Sequence, residues 1–90
     1  MRVISQDGTL DFPYEISTIF IYPSIENVIA IQSAGDSEIS IIGRYSSKEK
    51  AIKAMEMLRE AWINEAVEFE DGIYHRNIVF QFPQDDEIEV

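Results

Sequence analysis

The sequence predicts an α+β domain: a small, mostly antiparallel sheet of four to five strands with one long helix across one face. Three observations carry that expectation. Four to five β-rich runs joined by short turns fill residues 1–45, and short turns favour an antiparallel meander over crossovers. A capping signature followed by an apolar stripe at helical spacing comes next. A last strand-like run then ends at a proline, so the expected order is β-β-β-β-α-β. Ninety residues with 46% hydrophobic content suffice for one thin core and no second domain, with about 64% of the unfolded surface buried on folding.

The first strand is expected over residues 2–5 and ends at Gln6-Asp7-Gly8-Thr9, where Asp-Gly is a turn signal. Residues 10–14 can return as a strand, but Pro13 lacks a ladder donor and restricts that strand to an edge or bulge. Residues 15–22 are β-branched and aromatic and close at Pro23-Ser24. Residues 27–33 and 38–45 supply two further runs, separated by Ala34-Gly35-Asp36-Ser37. Ser46 and Glu49 have the spacing of a capping box. Ala51, Met55, Leu58, Trp62, Ala66 and Phe69 then recur every three or four residues, as a helix packed on a sheet requires. Gly72 suits the left-handed end of that helix, which would run about 22 residues and span about 33 Å. Residues 77–82 read as the last strand, stopped by Pro83. The domain is thus expected over 1–83, with 84–90 as a frayed acidic tail.

Little in the chain points to catalysis. His75 is the one imidazole, and no nucleophile or ligand set is placed beside it by spacing. Absence of cysteine excludes a disulfide framework, a thiol nucleophile and a cysteine-based zinc site. Glu56 and Glu60 share a helix face, yet no second helix completes a carboxylate metal site. The C-terminal acids lack the spaced ligands and central glycine of a calcium loop. No glycine-rich phosphate loop or nucleophile elbow is present. The reading is a non-enzymatic protein with no cofactor and no metal.

Charge is the feature that discriminates. Seventeen acids against seven bases leave a formal net charge of −10, which repels nucleic-acid phosphate and anionic membranes. Arg44, Lys48, Lys50 and Lys53 form the basic cluster, whereas Glu65, Glu68, Glu70 and Asp71 make an acidic end to the expected helix. The longest apolar runs are four residues, far short of a membrane span, and the start of the chain has no signal-peptide pattern. A cytoplasmic protein is the expectation.

Met1-Arg2-Val3-Ile4-Ser5-Gln6-Asp7-Gly8-Thr9 with Pro13-Tyr14-Glu15, the run A-I-K-A-M-E-M-L-R-E-A from Ala51 to Ala61, and Phe80-Gln81-Phe82-Pro83 together resemble one family. It comprises small uncharacterised acidic proteins carried by phages and mobile elements of Gram-positive bacteria. The resemblance covers both ends and the helix, leaves residues 16–42 aside, and implies a cytosolic accessory protein with no catalytic residue to transfer.

The function expected is therefore accessory protein binding. Tyr14, Tyr22 and Tyr45 on an uncovered sheet face, with the acidic end around Glu65, Glu68, Glu70 and Asp71, are the expected contacts. A first alternative is an acidic mimic occupying the nucleic-acid site of a basic protein. A second is a homodimer formed through the uncovered face.

Overall fold

The computed structural model describes residues 1–64, 66–75 and 78–90, with the backbone alone for 66–69, 74 and 75. Among the described residues there are one α-helix and eight strands in three sheets, so the α+β class holds while the strand count and order differ from expectation. In chain order these are β1 (Arg2–Ile4), β2 (Asp11–Pro13), β3 (Ser17–Ile21), β4 (Val28–Ser33), β5 (Ser40–Arg44), α1 (Lys48–Asn64), β6 (Ala66–Phe69), β7 (Gly72–His75) and β8 (Val79–Gln81). The antiparallel sheet β3-β4-β5 is the expected meander. A second sheet, β2-β1-β8, is mixed, because β1 pairs antiparallel with β2 and parallel with β8. Chain returns from α1 made that parallel pairing invisible to a reading of local turns.

The helix is shorter than its stripe implied. It stops at Asn64 after 17 residues, about 25 Å at 1.5 Å per residue. Ala66 to Phe69 instead pairs with Gly72 to His75 as a hairpin around Glu70 and Asp71. The Asp71-Gly72 pair therefore closes a strand turn and not a helix, in keeping with the β-forming Val67, Phe69, Ile73 and Tyr74 around it. Its N-terminus is also one residue later than expected. Ser47, not Ser46, is the cap: its Oγ accepts the Lys50 N–H at 3.2 Å and its carbonyl accepts the Ala51 N–H at 3.2 Å. Lys50 then stands where a capping box needs a carboxylate. Asp85, far along the chain, places a carboxylate just ahead of the helix: its Oδ1 accepts the Ser46 N–H at 2.7 Å and its Oδ2 takes the Lys50 ammonium at 3.2 Å. The Ser46 amide, with help from Lys50, holds the Asp85 carboxyl below its usual range, as an anion at a positive helix end should be held.

The C-terminal segment is accordingly not frayed. Phe82 and Ile88 are buried, and residues 85–87 form a 3₁₀ turn closed by a Gln84–Glu87 capping box. Gln84 Nε2 donates to the Gln6 carbonyl at 2.6 Å. Gln6 in turn ties three parts of the fold: its N–H reaches the Ile42 carbonyl at 2.8 Å, its Oε1 accepts the Arg44 N–H at 2.9 Å, and its Nε2 reaches the Pro83 carbonyl at 3.2 Å. The two larger sheets share one core of Val3, Ile29, Ile31, Ile42, Ala51, Ala54, Leu58, Phe82 and Ile88.

The expected Asp-Gly turn after β1 is present and tightly bonded. Asp7 Oδ1 accepts the Ser5 hydroxyl at 2.6 Å, the Thr9 N–H at 3.0 Å and the Thr9 hydroxyl at 2.7 Å. Gly8 sits at φ +78°, a conformation other residues rarely take. Ser5 and Thr9 hold the Asp7 carboxyl down to about 2. A carboxyl depressed in the fold contributes stability above its unfolded value near 4, and that contribution is lost as pH falls toward 2. Thermal melts of Asp7→Asn are thus expected to be flatter than wild type between about pH 4 and pH 2. Parallel curves across that window would show that this turn does not couple to folding.

Candidate functional site

The sheet β3-β4-β5 has two unequal edges. The β5 edge is closed by Gln6, whose backbone and amide side chain bond Ile42 and Arg44 as a strand would. On the other side, β3 pairs with β4 and with no other described strand. Ala34 N–H reaches the Ile16 carbonyl and Tyr22 N–H the Val28 carbonyl, so the even-numbered residues of β3 face β4. By the alternation of an antiparallel ladder, Ile19 and Ile21 point their N–H and C=O groups outward. This edge reads Ser17-Thr18-Ile19-Phe20-Ile21, with no charge, no proline and no bulge against β4. Natural edge strands are commonly blunted by just those features, as β2 is by Pro13 and by the Arg2–Asp11 ion pair at 2.8 Å.

A groove of about 480 Å³ runs beside that edge. Ser17 and Ile19 of β3 form one wall, and Met55, Leu58, Arg59 and Trp62 of α1 form the other. Tyr14 and Glu15 close one end. Pro13, at φ −74°, turns the chain out of β2 into a short 3₁₀ segment that carries Tyr14 toward the helix. There its ring meets Trp62 at 4.9 Å between centroids, inclined by 41°, a favourable tilted aromatic contact. Glu15 takes the Met1 ammonium at 2.5 Å. A shallower polar depression lies at the start of β3, lined by Glu15, Ser17, Thr18, Gln32, Ser33 and Asp36 among others.

The outer sheet face, away from α1, carries the cross-strand row Phe20–Ala30–Ile41. Thr18 opposite Gln32 and Val28 opposite Arg44 flank it. Val28 and Ala30 are buried there and Phe20 and Ile41 half-buried, so this row is apolar but is not the exposed aromatic face expected from the sequence. Its aromatic member within β3 is Phe20.

The tyrosines expected on that face are dispersed. Tyr22 is half-buried just past β3 and follows Phe20 onto the same side. Tyr14 lines the groove instead. Tyr45 is 4% exposed and is no surface contact: its hydroxyl donates to the Pro83 carbonyl at 2.8 Å, and its ring lies over Gly43, where a Cβ would approach it to 3.1 Å. Burial, then the Asp85 and Glu87 carboxylates, hold this phenol protonated well above its usual range. Glu70 and Asp71 are exposed in the hairpin turn, and Glu68 belongs to β6. These acids therefore leave the negative end of the helix dipole, where a longer α1 would have placed them. Glu65 and the side chain of His75 lie outside the described parts of the structure.

Met55, Leu58 and Trp62 belong to the apolar helical stripe, to which the sequence assigns packing and no site, and Arg59 joins them in the groove. The signal that marks the site is the uncharged, proline-free run of β3, visible in the sequence but meaningless until the neighbouring strand is known. Among the described residues no group of three His, Asp or Glu is placed to hold a metal ion, and no helix is long and apolar enough to cross a membrane. No family model, curated protein or solved structure matches the chain.

Proposed function

We propose that this chain is a non-enzymatic protein-binding domain that takes an extended segment of a partner protein alongside β3. The observation that carries the reading is the outward-facing N–H and C=O groups of Ile19 and Ile21, set beside the Tyr14–Trp62 groove. Strand addition supplies affinity through main-chain hydrogen bonds, and a groove next to the edge selects alternate side chains. A segment laid on β3 would turn every second side chain toward Ile19, Leu58 and Trp62 and the others toward Phe20. An accessory role in a phage or mobile element accords with this reading and rests on the sequence resemblance alone.

The test is selection of a random decapeptide display library on the folded protein, followed by amide hydrogen exchange of the best binders' complexes. Slowed exchange at Ile19 and Ile21, with Phe20 already protected by β4, is the expected pattern. Backbone N-methylation of the peptide at alternate residues is expected to abolish binding, because it removes the donors that strand addition needs. Binders that leave Ile19 and Ile21 unchanged, or tolerate N-methylation at every position, would overturn the reading.

A further inference from the structure

We infer that the segment received by β3 is basic, an extended stretch in which lysine or arginine alternates with apolar residues. This rests on the strand-addition reading and adds the chemistry of the occupant. The protein's net charge of −10 sets up a field that draws cationic segments and opposes a second copy of the same chain. The local charges agree at the start of β3. Asp36 is exposed there, Glu38 two residues on is exposed as well, and neither pairs with a basic residue among those described. Asp36 spends one oxygen on the Glu38 N–H at 3.0 Å, which leaves its charge in place. The depression formed with Ser17, Gln32 and Ser33 contains hydroxyl and amide acceptors and no basic side chain. With the Asp36 carboxylate beside those groups, the lining favours an ammonium or guanidinium group over an anion.

The groove itself sorts the other side chains. Its walls of Ile19, Met55, Leu58, Tyr14 and Trp62 are apolar, with Arg59 as the one base lining it. Glu15, the acid at its end, already holds the Met1 ammonium. A peptide strand sends successive side chains to opposite faces, so its inward residues meet this apolar wall. Cationic residues then fall at the segment's end near Asp36 and on its outward positions. Uncharged edge groups along β3 fix the strand, while the acids at its start and the overall charge select the sign.

The library selection separates the two claims. The expected result is enriched peptides with net charge of about +2 or more, whose affinity weakens about tenfold as salt rises from about 50 mM to 500 mM and the Debye length contracts from roughly 14 Å to 4 Å. Replacing their lysines by glutamate should weaken binding at least about tenfold. The double variant Asp36→Asn/Glu38→Gln should weaken the basic peptides a few-fold without lowering the melting temperature. Neutral or acidic binders that slow exchange at Ile19 and Ile21 would overturn the charge assignment and leave strand addition standing. Basic binders that leave those amides unchanged would overturn both. Concentration-dependent protection of Ile19 and Ile21 in the protein alone, seen with a dimer by sedimentation, would make the occupant a second copy and overturn the inference.

Discussion

Replacing Phe82 by alanine is expected to cost about 3–5 kcal/mol, the range for deleting a buried aromatic side chain. The residue is 1% exposed and belongs to the core shared by both larger sheets and α1. Its ring meets Phe80 edge-on at 5.4 Å, and its N–H continues the ladder to the Ile4 carbonyl at 3.1 Å. A domain of this length has a total stability of about 5–13 kcal/mol at 0.05–0.15 kcal/mol per residue, so the loss would consume a large share of it. Urea unfolding measures the effect directly. Phe82→Leu is expected to cost much less, because most of the apolar volume is kept. A loss under about 1 kcal/mol for the alanine variant would mean that the two sheets do not depend on a common core.

Deleting residues 84–90 is expected to have the second largest effect. A frayed acidic tail could be removed without consequence, but this one buries Ile88 to 4% exposure. Burial of such a side chain contributes about 1.5–3 kcal/mol. That loss alone would lower the melting temperature by about 6–24 °C at 4–8 °C per kcal/mol for a domain this small. The deletion also removes Asp85 from the Ser46 amide and the Lys50 ammonium, and Gln84 from the Gln6 carbonyl. Two single variants divide the effect: Ile88→Ala tests the buried side chain and Asp85→Ala the contacts to the Ser46 amide and the Lys50 ammonium. An unchanged melting temperature on deletion would return 84–90 to the status of a solubilising tail.

These two variants also show where sequence reasoning stopped. Four acids in the last seven residues outweighed one isoleucine in a compositional reading. Whether Ile88 meets a core or water depends on where β8 delivers the chain, and that is set by its parallel pairing with β1. Tyr45 failed in the same manner. A tyrosine between a strand and a helix looks like a surface residue until a carbonyl from residue 83 accepts its hydroxyl. The helix overran because Ala66 and Phe69 satisfy both a helical spacing and the β-rich hairpin of 66–75. Hairpin pairing with residues 72–75 decided the matter.

The sequence by itself determined the class of the fold, the meander of β3, β4 and β5, the tight turn at Asp7-Gly8, and the presence of one amphipathic helix. Each follows from interactions within a few residues: side-chain alternation, turn chemistry and helical periodicity. The tertiary fold decides that β8 runs parallel to β1, that Asp85 reaches the Ser46 N–H and the Lys50 ammonium ahead of α1, and that Gln6 closes β5 while β3 pairs with no described strand besides β4. Those outcomes depend on which distant backbone groups find partners, and a pattern read along the chain does not contain that pairing.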